Sequence, residues 1–267
     1  MSLDIDKDIS VIVILYNTPL NKIENLKQFK NFRLIILEQG SPVSSKKRIK
    51  KILNFKFNYF YSKKNLGLSK GINFLLKKTK TKYCLITEPD VVIDKKSIIN
   101  LKNILSLNKK FLLVSPNYRK KKDLRKFIIT KNIDLSCVIF ETKKLVKFNF
   151  YDEDFFFFWN DIDLIRRINN SKFQMVIANK SYAKHNMSSS SKKNTYISFL
   201  REKSFKYGEL VFDYKHNNLR FIKILRQFIQ SFVGIFLGLL IMDKKKIITK
   251  LGYFFGILSF LTYMINR

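Results

Sequence analysis

Carboxylates stand at two places where a turn of the chain would push them toward a ligand. In Thr87-Glu88-Pro89-Asp90 an apolar run ends at Pro89, which cannot extend a strand ladder and turns the chain outward. Carboxylates delivered from a strand end hold hard divalent cations, which in turn bind phosphate oxygens; the same string also reads as an ordinary acidic turn. In FFFFWNDIDLIRRI, Phe155 to Ile168, an aromatic run meets Asp161 and Asp163 where a helical pattern begins. A carboxylate at a helix opening beside an apolar wall serves as an N-cap or as a general base. Side chains two apart diverge on a helix, so one of this pair should face a site and the other solvent or an arginine. Asp94, just ahead of KKSIIN, reads as an N-cap rather than a ligand.

A third string, NLGLSKGIN from Asn65 to Asn73, has glycines where a strand gives way to an apolar helix. Glycine permits close backbone approach, and free N–H groups at a helix start suit an anion; a tight strand-to-helix turn would look the same. His185 precedes the serine run Ser188 to Ser191 and is either structural or a ligand.

These strings need elements to hold them. Short apolar runs predict strands at Ile9 to Tyr16, Phe32 to Leu37, Phe57 to Tyr61, Tyr83 to Thr87 and Phe111 to Ser115. Amphipathic stretches between them predict helices near Leu20 to Phe29, Ser44 to Leu53, Leu68 to Lys78 and Ser97 to Leu107. The alternation is that of βαβ units around a mostly parallel, Rossmann-like sheet, an α/β fold. Ligands of such sheets bind beyond the carboxyl ends of the strands, where Tyr16-Asn17-Thr18, Glu38-Gln39-Gly40-Ser41 and Glu88-Pro89-Asp90 all fall. After Asn117 come a basic loop, a strand near Ile133 to Phe140, the aromatic run, a helix from about Asp161 and a strand near Phe173 to Ala178.

The chain of 267 residues is 46% apolar, enough for a sizeable core, which excludes a disordered tail. Its net charge of +32 is compatible with nucleic acid, an anionic membrane or an anionic substrate, or with a lysine-rich composition alone. The basic clusters Lys46 to Lys51 and Arg119 to Lys126 lack the interleaved aromatics of a nucleic-acid module and read as solvated faces. Cys84 and Cys137 lie in apolar runs with no metal-ligand spacing, and the start MSLDIDKD is not that of a secretory signal. A reducing, cytoplasmic setting follows as the expectation.

From Phe221 onward, Lys223, Arg226, Gln230 and Gly234 recur on one helical face and Phe221, Leu225, Phe228, Phe232 and Phe236 on another. The apolar part Phe228 to Met242 falls short of the ~20 residues of a span, and Ile247 to Ile265 carries Lys250. The basic loop Lys244 to Lys246 argues against a hairpin through the membrane. The tail reads as an amphipathic pair at the inner membrane surface; a core-packing pair and a true hairpin are the alternatives.

In order along Ile9 to Arg201, the strings VIVILYNTP, EQGS, NLGLSKGIN, TEPDVVI, WNDIDLIRR and AKHNMSSS resemble the family 2 glycosyltransferases, in particular the bacterial branch that includes rhamnosyltransferases. The resemblance implies a GT-A fold over residues 1–215, with a nucleotide-binding half at 1–117 and an acceptor-binding half at 118–215, followed by the tail at 216–267. It implies a nucleotide-sugar donor bound by Tyr16, Asn17, Glu38, Asn65, Gly67, Gly71, Asn73 and Asp90. A divalent cation, Mg2+ or Mn2+, would be held by Asp90 and His185, Asp161 would be the catalytic base, and Trp159, Ser188, Ser189 and Arg201 would contact phosphate or acceptor. The implied reaction is an inverting, in-line transfer of a hexose or deoxyhexose to a hydroxyl of a glycan or lipid-linked acceptor in envelope polysaccharide synthesis. The enzyme would be peripheral on the inner face of the cell membrane, with no nucleic acid as partner. Departures from the family pattern are Glu38-Gln39 in place of Asp-Asn, Asn160 in place of Glu, and Cys137 and Met187 in place of glycine. A basic nucleic-acid-binding protein and a catalytically silent membrane-associated homologue are the rival readings; the presence of Asp90 and Asp161 argues against the second.

Overall fold

The structure is a computed structural model of the full chain, and it describes residues 6–40, 45–119, 124–185 and 194–267. Ser188, Ser189 and Met187, like Ser41 of the EQGS string, lie outside the described residues. The chain divides into two compact units, the first formed by Met1–Leu66, Lys70–Tyr151 and Leu164–Lys192, the second by Gly67–Ser69, Asp152–Asp163 and Lys193–Arg267.

The first unit is built on strands β1 (Asp6–Leu15), β2 (Phe32–Gln39), β3 (Asn58–Ser62), β4 (Tyr83–Thr87), β5 (Val91–Ile93), β6 (Phe111–Asn117), β7 (Phe127–Thr130), β8 (Cys137–Glu141) and β9 (Gln174–His185). They run in the order β3-β2-β1-β4-β8-β6-β9-β5, with β7 also on β9. Pairing is parallel through β3-β2-β1-β4 and between β6 and β9. Strand β8 enters antiparallel between β4 and β6, and β5 and β7 lie antiparallel to β9. Continuous Val, Ile and Leu runs such as Val11 to Leu15 and Leu34 to Leu37 are buried almost throughout, as sheet strands covered on both faces must be.

Helices α1 (Leu20–Glu24), α2 (Ser45–Leu53), α3 (Gly67–Lys78) and α4 (Lys95–Leu105) follow the expected strands, with a 3-10 turn at Asn25–Phe29 completing the first. Asp94 caps α4 as expected: its Oδ1 accepts from Ser97 N at 2.7 Å and its Oδ2 from Ser97 Oγ at 3.1 Å. Strands β5 and β7 and helix α5 (Thr142–Lys147) were not anticipated, being three, four and six residues long. Helix α6 (Asn160–Asn169) opens where Asp161 marked it. Its Arg167 donates to the carbonyls of Phe148, Asn149 and Phe150, tying that helix to the loop before the aromatic run.

The second unit is helical: α7 (Thr195–Lys215), α8 (Phe221–Leu240) and α9 (Lys244–Ile265). Phe155, Leu210, Val211, Phe212, Ile224, Ile257 and Phe260 form its core. Close packing uses glycine. A Cβ at Gly252 would lie 2.5 Å from Glu202 Cβ and one at Gly256 would lie 2.7 Å from the Lys203 carbonyl, so α9 can approach α7 only because those positions have no side chain. Ion pairs add to this: Lys223 Nζ on α8 reaches Glu209 at 2.7 Å and Asp213 at 2.6 Å on α7. Of the α8 face expected to be apolar, Phe221, Phe232 and Phe236 are left outward, 77%, 65% and 59% exposed, while Phe228 packs on the core. Both α8 and α9, as folded, are long and apolar enough to cross a membrane by length and composition.

Candidate active site

Strand β4 ends at Thr87, and the chain turns through Glu88-Pro89-Asp90 straight into β5. Side chains from the first 3-10 turn hold this turn in place. Asn25 Nδ2 donates to the Pro89 carbonyl at 3.2 Å, Gln28 Nε2 donates to the Val91 carbonyl at 3.0 Å, and Gln28 Oε1 accepts from Ile93 N at 2.7 Å. Strand β5 then pairs with the far end of β9 so that Val91 stands opposite His185. That pairing brings three potential ligands together across 95 positions of sequence: His185 Nε2 lies 3.5 Å from Glu88 Oε2 and 3.7 Å from Asp90 Oδ1.

Asp90 is fully buried at 0% exposure, whereas the Glu88 side chain is 40% exposed, so the cluster has a closed floor and an accessible edge. One atom from each residue lies within 4.8 Å of the others. Both ring nitrogens of His185 are buried, and among the described residues neither makes a hydrogen bond of normal geometry. The Glu88 carboxylate facing the ring holds the imidazole above its ordinary pKa against the opposing effect of burial, with Asp90 and Asp134 adding to the upward shift. Two carboxylate oxygens and one imidazole nitrogen form a hard, mostly oxygen donor set that suits Mg2+ or Mn2+. Asp90 and His185 were the expected ligands; Glu88 joins them, and its signal was its place in the same acidic turn.

The other residues expected to line a nucleotide site take diverse places. Glu38, at the end of β2, is buried and accepts from Tyr59 OH at 2.6 Å; burial and then this carboxylate raise the phenol's pKa. Gln39 Oε1 accepts from Leu66 N at 3.0 Å, so the last residue of β2 fixes the start of the glycine-bearing segment. Tyr16 lies against Gly40, where a Cβ would come within 2.6 Å of the ring, and Asn17 next to it adopts a left-handed φ of 48°. Asn65 borders the same turn, its Cβ 3.7 Å from the position a Gly40 Cβ would take. Gly71 faces the sheet, with Ile14 Cδ1 2.7 Å from where its Cβ would be, so its smallness serves helix-on-sheet packing. Asn73 bonds the backbone of Tyr151, donating to its carbonyl at 2.8 Å and accepting from its N–H at 3.4 Å.

A wide cleft of about 1180 Å³ lies elsewhere on the first unit, along α2 and the residues after it. Lys46, Lys50, Phe55 and Phe57 are among its lining residues, and it shares none with the Glu88-Asp90-His185 cluster.

The second unit carries the remaining candidates. Asp161 lies in the first turn of α6, partly exposed, and Asp163 is turned inward at 2% exposure. The two carboxylates diverge as helical spacing requires. The inward one meets His216, the residue that caps the end of α7, whose Nε2 lies 3.0 Å from Asp163 Oδ1. Trp159 adopts a left-handed φ of 70° and packs on Phe205 and Phe212, with centroids 5.7 and 5.3 Å away. Arg201 stacks over Phe157 and Phe158 at 5.4 and 5.1 Å, a cation–π arrangement. Gly67, at φ 79°, leaves room for the Phe156 carbonyl, which would be 2.3 Å from a Cβ and which accepts from Leu68 N at 2.6 Å.

Comparison with known proteins gives a consistent picture. The sequence model described as glycosyl transferase family 2 matches residues 10–228. No curated protein matches the sequence significantly. Among solved structures, the chain is similar to the mannosyltransferase PcManGT from Pyrobaculum calidifontis in complex with GDP-Man and Mn2+, with a TM-score of 0.57 and 14% identity over 80% of this chain and 68% of that one. S. aureus TarS gives a TM-score of 0.52 at 14% identity, covering 73% of this chain and 39% of the longer TarS chain. The TarS fragment 1–349 gives 0.51 at 13% identity, covering 97% and 92%. The α/β fold expected from the sequence, of the GT-A type, is the one observed.

Proposed function

The chain belongs to glycosyl transferase family 2, and on that premise we propose that it is an inverting, divalent-metal-dependent transferase that moves a hexose or deoxyhexose from a nucleoside diphosphate to an acceptor hydroxyl. The observation that carries the reading is the Glu88-Asp90-His185 cluster beyond the carboxyl end of β4, where α/β sheets bind their ligands. Glu88, Asp90 and His185 would hold a divalent ion, which would supply positive charge to offset that of the donor's diphosphate.

The protein's own groups supply the rest. Asp161 is the general base that takes the proton of the acceptor hydroxyl as its oxygen bonds the anomeric carbon; the bond from that carbon to the diphosphate oxygen breaks, the nucleoside diphosphate leaves with the electron pair, and the centre inverts. Tyr16, Asn17 and Glu38 bind the base end of the donor, with Asn65 and Gly67 beside the ribose and phosphates. Gly71 and Asn73 act on the donor through packing and through the Tyr151 backbone. Trp159 and Arg201 shape the aromatic wall next to Asp161, and Ser188 and Ser189 contact phosphate. Thermal-shift measurements against a panel of nucleotide sugars test this directly. One donor should raise Tm in manganese and lose that effect in chelator; no shift with any donor, alongside tight salt-dependent RNA binding, would favour a nucleic-acid function instead.

The acceptor is proposed to be a lipid-linked or envelope glycan, with the transferase domain at 1–215 and helices α8 and α9 peripheral on the inner face of the membrane. The outward Phe221, Phe232 and Phe236 of α8 and the basic first turn of α9, Lys244 to Lys246, are the groups that would meet an anionic interface. Because Phe232 and Phe236 are exposed, the double change Phe232→Glu, Phe236→Glu should leave Tm unchanged and abolish sedimentation with anionic liposomes. The unaltered protein should sediment less as salt rises, yet not be released completely. Unchanged sedimentation of the variant would refute the assignment, and release by detergent alone with protease protection would replace it by a spanning hairpin.

A further inference from the structure

The two ring nitrogens of His185 address different carboxylates. Nε2 faces Glu88 and Asp90 at 3.5 and 3.7 Å, and Nδ1, on the other edge of the ring, lies 4.0 Å from Asp134 Oδ2, at ion-pair rather than hydrogen-bond distance. Asp134 is itself held. Its Oδ1 accepts from Ser136 N at 2.8 Å and from Ser136 Oγ at 2.6 Å, and Ser136 Oγ meets Tyr118 OH at 2.9 Å. The Tyr118 ring sits 6.3 Å from the imidazole. The Ser136 carbonyl accepts from Glu88 N at 3.0 Å. The short turn at 134–136 therefore grips the backbone of one ligand and aims a carboxylate at the far edge of another. Its position follows from the sheet, since it leads into β8, whose Cys137 pairs with Thr87 of β4.

We propose that Asp134 is a positioning residue for His185: its carboxylate favours the Nδ1–H tautomer and turns Nε2, with its lone pair, toward Glu88 and Asp90. The proposal rests on reading those three residues as a cation site. A carboxylate behind a ligating imidazole fixes ring orientation and raises ligand basicity, and losing such a partner costs about 10–100-fold in metal affinity. Asp134 is not a fourth ligand of the same ion, because it approaches the nitrogen on the opposite edge of the ring from the one facing Glu88 and Asp90.

The test is Mn2+ titration of the full chain, with free Mn2+ read by electron paramagnetic resonance. Asp134→Asn keeps an acceptor for Ser136 and removes the charge, so it should fold with unchanged Tm and bind Mn2+ about tenfold more weakly. Asp134→Ala, which also loses the turn, should bind at least as weakly. In a His185→Ala background Asp134→Asn should cost nothing further, because the imidazole through which Asp134 acts is gone. Wild-type affinity in Asp134→Asn would overturn the proposal and leave the cation site standing, as would an equal loss with and without His185. A wild-type protein that binds no Mn2+ would remove the cation site and this proposal with it.

Discussion

Asp161→Asn is expected to lower sugar transfer by about 10²–10⁴-fold while leaving donor affinity unchanged. That loss corresponds to about 3–5 kcal/mol in the barrier. The substitution keeps the shape of a partly exposed side chain in the first turn of α6 and removes only its basicity. Single-turnover rates with the cognate donor, paired with calorimetric donor binding, separate the two effects. Turnover within a few-fold of wild type would show that another group takes the proton. Asp163 supplies the contrast: it is buried against His216, so Asp163→Asn should act on Tm, leaving the rate per folded molecule close to wild type.

The second large effect is expected at Asp90, the fully buried member of the ligand cluster. Asp90→Asn should weaken donor binding and turnover together, by more than the about 10–100-fold that loss of a ligand's supporting partner costs. Chelation of the wild-type protein should reproduce the same loss, and chelator added to Asp90→Asn should add nothing. Calorimetric titration of donor in manganese and in chelator decides the matter. Equal donor affinity in the two media would show that Glu88, Asp90 and His185 do not serve the diphosphate, and the cluster would then be a structural one.

Some of this protein is legible from residue order alone because the relevant forces are local. Continuous apolar runs and helical apolar patterns placed β1 to β4, β6 and α1 to α4 within a few residues, since a strand covered on both faces is apolar throughout and a helix buries one stripe. Asp94 was legible as a cap because its bond to Ser97 N spans three positions of chain. The opposite directions of Asp161 and Asp163 followed from helix geometry, and the family resemblance followed from the order of the strings.

Other features depended on partners distant in sequence. Strand β5 has three residues and no pattern of its own; it exists because β9 runs past the sheet and pairs with it. Through that pairing Glu88 and Asp90 acquire His185, and through the antiparallel entry of β8 the ring of His185 acquires Asp134. The inward partner of Asp163 is His216, 53 positions away, which no helical periodicity on α6 could name. Gly71 and Asn73 read as ligand contacts in a glycine-bearing string, yet Ile14, Leu37 and the Tyr151 backbone occupy their surroundings. The sequence by itself determined the elements, their order and the strings that turn at strand ends, because propensity, periodicity and capping act within a few residues. Which carboxylate meets which imidazole was decided only by the tertiary structure, because strand pairing and helix packing join residues that the chain keeps far apart.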